Sequence, residues 1–296
     1  MRVVTRPDFD GVVCAVLLLD ALGIDAPVLW TQPSDIQHQR VEILPGDIIA
    51  NLPYHPDCSL WFDHHFSNQP TTPVNGVFKI APSAAGIIHE HYHDRLKRDY
   101  SELIYQTDRI DSADLTLEEI LHPEKHPFVL LSMTIADHGP EEARYWEHLV
   151  ALLRDRTLTM DQVMNDSEIR QRCRRVVRNN VEYERALKRH TKLVDHVSVT
   201  DFRDLNPAPN GNRFLVYSLF PDCTVNVKVL HDGDNLVSIK VGHSILNRNC
   251  HVNVGKMLSD FEGGGHPGAG ACRFDRKKAS DYLNRIIAIL LEDTPA

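Results

Sequence analysis

The first half of the chain switches repeatedly between two hydrophobic periods. M-R-V-V-T (1–5) is a short apolar run; after a polar turn, G-V-V-C-A-V-L-L-L-D-A-L (11–22) is apolar over helical length. A-P-V-L-W (26–30), D-I-I-A-N-L (47–52) and S-L-W-F-D (59–63) are short again, rich in β-branched and aromatic residues and bounded by Pro, Gly or Asp. S-A-A-G-I-I-H-E-H-Y-H-D-R-L (83–96) and P-F-V-L-L-S-M-T-I-A-D (127–137) read as helices. Strands alternating with helices restrict the architecture severely, because parallel strands need crossovers and the crossover helices cover both faces. The expected fold class is α/β, with an N-terminal, mainly parallel sheet flanked by helices.

The pattern then changes twice. From Asp161 to His196 there is no Gly or Pro, and Ile169, Cys173, Val176, Val177, Val181, Leu187 and Val194 recur at helical spacing, as in one long helix. Arg170, Arg174, Arg178 and Arg185 lie on its other faces, a charge run that reads first as a solvated surface. Beyond N-P-A-P-N-G-N (206–212), a loop by composition, R-F-L-V-Y-S-L-F (213–220), the segment 224–241 and A-C-R-F (271–274) read as strand-rich, with H-D-G-D-N (231–235) as a hairpin turn. The expected domains are 1–140, a helical connector 141–196, and a smaller α/β domain 197–296.

Composition narrows the function. Acidic residues outnumber basic ones, 41 to 32, a net charge of -9 that disfavours a protein coating long double-stranded nucleic acid. No apolar run reaches membrane-spanning length, and the start M-R-V-V-T-R-P-D-F-D-G lacks the apolar core of a signal peptide. The six cysteines are scattered without C-x-x-C spacing, which reads as free thiols in a reducing cytoplasm.

Ligands of open parallel sheets bind beyond the carboxyl ends of the strands. Arg6, Asp8 and Asp10 follow the first strand, Asn51 ends D-I-I-A-N, and Asp63, His64 and His65 end S-L-W-F-D. I-Y-Q-T-D-R-I-D-S-A-D (104–114) adds Asp108, Asp111 and Asp114. Carboxylates and imidazoles crowded at one edge repel one another without a cation, and the mixed oxygen and nitrogen set suits Mn, Fe or Zn, with Mg where oxygens dominate. Such a site acidifies water and holds phosphoryl oxygens. His89, His91 and His93 read as a surface helix, since only the first and last share a face, and His138, His122, His126 and His148 give no usable geometry.

Taken together, R-P-D-F-D-G (6–11), D-H-H (63–65), the Asp-bearing segment at 105–114 and G-G-G-H-P-G-A-G (263–270) resemble the DHH phosphoesterase family with its accessory DHHA1 domain. The resemblance spans nearly the whole chain and implies a Mn-dependent, exopolyphosphatase-like or nano-RNase-like phosphohydrolase working in a cleft between its domains. It implies that Asp8 binds a first metal, that Asp10, His64 and Asp108 bind a second, with Asp111 the alternative one turn on, that His65 contacts the scissile phosphate and that Asp63 orients the histidines. Gly263, Gly264, Gly265 and His266 resemble the substrate-binding loop, where glycine amides approach an anion closely.

Two expected ligands are missing. The family's motif-I His is absent, with Arg6 in that region, and Asn51 replaces the Asp that bridges two metals; an amide oxygen is a poor bridge, and Asn51 is expected at most to add that oxygen as a ligand to the second site. The expectation is therefore one metal rather than two, with Arg6 paired to Asp8 and offering a fixed positive charge to phosphate. The expected function is hydrolysis of a phosphodiester or phosphoanhydride bond by metal-activated water. The expected substrate is small: a short oligonucleotide, a nucleotide or polyphosphate. No membrane partner is expected, and a homodimer is compatible with the sequence. The alternative is a catalytically impaired family member that binds a phosphorylated ligand in a regulatory role.

Overall fold

The computed structural model describes residues 1–135, 139–233 and 235–293. His138, the end of the helix expected over 127–137 and one position of the H-D-G-D-N turn lie outside the described residues. The chain divides into two compact units, Met1–Asp114 with Glu124–Arg174, and Leu115–Pro123 with Arg175–Ala296. Residues 141–174 of the segment expected as a helical connector fall in the first unit and 175–196 in the second.

The first unit opens with β1 (Val3–Thr5), α1 (Phe9–Leu22), β2 (Val28–Trp30), α2 (Pro33–Gln37), β3 (Ile48–Ala50), β4 (Leu60–Asp63) and β5 (Gly76–Phe78), then α3 (Ala84–His91) and α4 (Ser101–Asp111). After α5 (Leu117–Leu121), which belongs to the second unit, it resumes with α6 (Pro127–Met133), α7 (Ala143–Arg154), α8 (Met160–Met164) and the start of α9 (Ser167–His190). The sheet is parallel throughout, in the order β2-β1-β3-β4-β5. From β1 the chain moves to one side for β2 and to the other for β3, so the topological switch point lies between β1 and β3. Val3, Val4, Ile48 and Ile49 are all fully buried, as a sheet covered on both faces requires. α1 is buried along nearly its whole length, consistent with a helix apolar on all sides, and packs against α3, α4 and α7.

The second unit contains β6 (Thr191–Val194), β7 (Val197–Asp201), α10 (Leu215–Leu219), β8 (Val225–His231), β9 (Leu236–His243), α11 (Val254–Ser259), β10 (Gly263–His266), β11 (Ala269–Asp275) and α12 (Ala279–Glu292). Its sheet runs β10-β11-β9-β8-β7-β6, antiparallel except for the parallel pair β7–β8. One face, with Val225, Val227, Val229, Ile239 and Phe274, joins Leu258, Phe261, Ile286 and Leu290 in the core.

Five elements, α9, β6, α10, β5 and β10, differ from the sequence reading. The single helix expected over 161–196 is interrupted where the Asp166 carboxylate accepts from the amides of Glu168 and Ile169 and so starts α9 anew, and residues 191–194 leave helix for β6. R-F-L-V-Y-S-L-F holds the short helix α10 rather than a strand, because an apolar run of that length fits either period until packing chooses. G-V-F forms β5 although its glycine hides it, and G-G-G-H is the edge strand β10 rather than a loop. All six cysteines are free. Among the described residues no helix is long and apolar enough to cross a membrane.

Candidate metal centre

β1, β3 and β4 are neighbours, so their carboxyl ends bring Arg6, Asp8, Asp10, Asn51, Asp63, His64 and His65 to one sheet edge. Asp8 caps α1 by accepting from the Gly11 amide at 2.8 Å. Gly11 is needed there: an added Cβ would lie 1.9 Å from the Arg6 carbonyl oxygen.

Asp10 points the other way along this turn and is 1% exposed. Its carboxylate accepts from the amides of Ala84 and Ala85 at 3.0 and 2.8 Å, at the start of α3, and from the Cys14 thiol at 3.7 Å. Its neighbours are His64, whose Nε2 lies 3.8 Å from Asp10 Oδ2, and Asp111, whose Oδ2 lies 3.4 Å from the same nitrogen. Burial and the charge of Asp8 push the Asp10 carboxyl up; burial and the charges of Asp10 and Asp8 push Asp111 up.

His64 sets the character of this group. Its Nδ1 lies 3.0 Å from the Ala81 carbonyl oxygen and donates to it, so the neutral imidazole carries its lone pair on Nε2. That nitrogen is buried without a hydrogen-bond partner, facing two carboxylates. A nitrogen facing two carboxylates needs a positive charge between them, a proton or a metal ion, and two carboxylates with one imidazole are a ligand set for a divalent metal. Asp10, His64 and Asp111 each offer a ligand atom, all within 4.8 Å of one another.

Asp108 stands elsewhere, and the sequence assignment moves by one helical turn. Its Oδ1 accepts from the Ser83 hydroxyl at 2.6 Å, and Ser83 in turn caps α3 by accepting from the Gly86 amide. Asp108 therefore steadies the helix start that holds Asp10, while Asp111, at the end of α4, faces His64. A second group of ligand atoms, from Asp63, His64 and His65, also lies within 4.8 Å. Asp63 is fully buried, however, and already engaged by His65 Nδ1 and by the Asn68 amide, each at 2.7 Å. Burial pulls the His65 pKa down, but the hydrogen bond and charge of Asp63 and the charge of Asp111 outweigh it, so the imidazole is held above its ordinary value.

Asp8 lies in neither group. Arg6 Nε is 3.1 Å from its Oδ2, and its Oδ1 accepts from Asn51 Nδ2 at 2.9 Å as well as from Gly11. Asn51 ends β3 at φ 58°, a left-handed conformation that asparagine tolerates better than most residues. Its buried Oδ1 has no partner.

In the second unit, Gly263–His266 pairs with Cys272–Ala269. Extended pairing turns successive amides to opposite sides, so the run is not the anion nest its composition suggested. Its glycines have a packing reason: Gly265 is at φ 150°, and the carbonyl oxygen of Gly265 lies 2.1 Å from where a Cβ on Gly255 of α11 would sit. His266 is exposed. The sequence reading missed Ser83, Ala84 and Ala85; the legible signal was a serine directly before an apolar helical run.

No family model matches the chain, and no curated protein matches it in sequence. Solved structures do. The pGpG-specific phosphodiesterase PggH from Vibrio cholerae is 26% identical, with 99% of each chain covered and a TM-score of 0.81. An exopolyphosphatase-related protein from Bacteroides fragilis matches over 96% of this chain and 90% of its own, at 10% identity and a TM-score of 0.58. RecJ from Thermus thermophilus, solved with Mn2+, matches over 99% of this chain but 52% of its own, at 15% identity and a TM-score of 0.61. This fold extends over the whole chain and is similar to that of these phosphoesterases, with the chain's own D-H-H and R-P-D-F-D-G runs at the strand ends, as its resemblance to the DHH phosphoesterase family implies.

Proposed function

We propose that the chain is a divalent-metal-dependent phosphodiesterase that hydrolyses a small substrate, a short linear oligonucleotide such as a dinucleotide. The buried, unpartnered Nε2 of His64 between Asp10 and Asp111 carries the reading. The likeness to PggH along both full chains favours a short phosphodiester over polyphosphate.

Asp10, His64 and Asp111 would hold one cation, with Mn preferred and Mg, Fe or Zn compatible with the same donors. Bound there, a divalent cation supplies Lewis-acid polarisation and acidifies water. Around it the chain contributes fixed positive charge. Arg6 is oriented by Asp8, and its guanidinium can bind a non-bridging phosphate oxygen through donors set in a plane. His65, with Nδ1 committed to Asp63, is favoured in its protonated form and carries a second donor on Nε2 for the phosphate or the leaving oxygen. In the reaction, oxygen from water bonds to phosphorus, the bond from phosphorus to the 3′ oxygen of the departing nucleotide breaks, and a proton given up by the water ends on that 3′ oxygen.

Asn51 also favours a second reading, a binding protein with an impaired site, because a neutral amide replaces a bridging carboxylate. One experiment decides. The chain with Mn is incubated with 5′-phosphorylated diguanylate and with polyphosphate, and products are separated by chromatography. Mononucleotides from the dinucleotide, lost in Asp111→Asn, are expected. Binding without turnover supports the second reading, and cleavage confined to polyphosphate overturns the substrate assignment.

A further inference from the structure

The metal centre is built from charged and polar groups, yet two large apolar side chains stand open beside it. Among the described residues, Phe66 at 66% and Ile80 at 64% are the most exposed large apolar side chains after Met1. Phe66 directly follows His65, and Ile80 directly precedes Ala81, whose carbonyl oxygen holds His64 Nδ1. Both emerge at one corner of the first sheet. Asp63 of β4 lies opposite Phe78 of β5, and the Lys79 amide still donates to the Asp63 carbonyl at 3.4 Å. Single exposed apolar residues are ordinary on a protein surface, but two at one corner of a charged site call for a reason.

The backbone under Phe66 is held still. It opens a single 3-10 turn, Phe66–Asn68. The Asn68 backbone amide donates to the His65 carbonyl at 2.9 Å, and its side-chain amide donates to Asp63 at 2.7 Å. Asp63 also fixes the His65 imidazole, so both residues share one support. An apolar surface fixed in advance loses little freedom when a ligand covers it.

Its position selects what it can take. A nucleobase is joined to its phosphate through a single ribose, so an aromatic ring one residue from a phosphate donor lies within a base's reach. A base stacks on an aromatic ring whatever its hydrogen-bonding edge, and the larger purine face covers more apolar area. Polyphosphate, polar throughout, gains nothing from such a surface.

Resting on the phosphodiesterase reading above, we propose that Phe66 stacks on one nucleobase of the substrate, with Ile80 bordering that base. The contact makes the site selective for base-bearing chains, purines above pyrimidines.

Calorimetry on the full chain, dialysed free of metal, compares 5′-phosphorylated diguanylate with its two singly abasic forms. One abasic form should bind the wild-type chain about tenfold more weakly, the value of one base–aromatic stack. In Phe66→Ala that penalty should vanish, whereas Phe66→Trp should keep it. With Mn, Phe66→Ala should raise KM for diguanylate about tenfold rather than lower kcat. No abasic penalty in the wild-type chain, or one unaltered in Phe66→Ala, overturns the platform. A penalty that depends on Phe66 in a chain that cleaves nothing with Mn refutes hydrolysis and supports the platform. Cleavage with KM indifferent to Phe66→Ala does the reverse. A chain that neither binds nor cleaves diguanylate overturns both.

Discussion

Replacing Asp111 and Asp108 one at a time separates two roles played by a single helix. Asp111→Asn removes a charged ligand atom facing His64 and should weaken Mn binding by about a hundredfold or more, the scale on which metal-site substitutions act. Asp108→Asn should leave Mn affinity within a few-fold and instead cost about 1 kcal/mol of stability through the Ser83 contact. Calorimetric Mn titration and thermal melts of both variants check this, and the opposite pattern would restore Asp108 as the ligand. Proton competition gives the second prediction. Asp10 and Asp111 have raised pKa values in the metal-free chain, so they retain protons above the usual carboxylate range. A metal must displace those protons, so Mn affinity should rise with pH from that range towards neutrality and then level off. Titrations across that window would contradict the assignment if affinity were flat or fell. The placing of Asp8, Asp10, His64 and His65 just beyond strand ends was legible, because strand ends follow from hydrophobic period alone. The choice between Asp108 and Asp111 was not, because a helix's rotation is set by what it docks against.

At the scale of elements, β10 offers a comparison between adjacent glycines. A Cβ at Gly264 meets open space, so Gly264→Ala should fold with a melting temperature close to wild type. At Gly265, φ is 150° and a Cβ would lie 2.4 Å from the Ala269 carbonyl oxygen, so Gly265→Ala should destabilise by more than about 1 kcal/mol. Thermal denaturation of the pair decides, and equal losses would mean that the edge-strand geometry is not what the run requires. The same strand shows where reading elements from sequence fails. Three glycines carry no alternation, so nothing local marks G-G-G-H as a strand; its pairing with Ala269–Cys272 does. β6 was hidden for a related reason. Leu193 and Val194 prolong a helical pattern as readily as they form a strand, and pairing with β7 decides it.

For the whole molecule, the alternation of periods was enough to anticipate a parallel sheet followed by a second, smaller sheet, because crossover connections leave few alternatives. The division within α9 was not legible, since that helix is continuous in pattern and only packing assigns its two ends to different units. The two-metal chemistry that the sequence resemblance implies and this chain's departures from it meet at Asp8. Its carboxylate is already occupied by Arg6, Asn51 and Gly11, whereas Asp10, His64 and Asp111 surround an unpartnered nitrogen. The central claim, that the chain holds one cation and uses a guanidinium beside it, is tested most directly by counting Mn per chain in native mass spectrometry. The account predicts one ion in the wild-type chain, none in His64→Ala, and a second ion gained when Arg6→Ala is combined with Asn51→Asp. Two tightly held ions in the wild-type chain would contradict it.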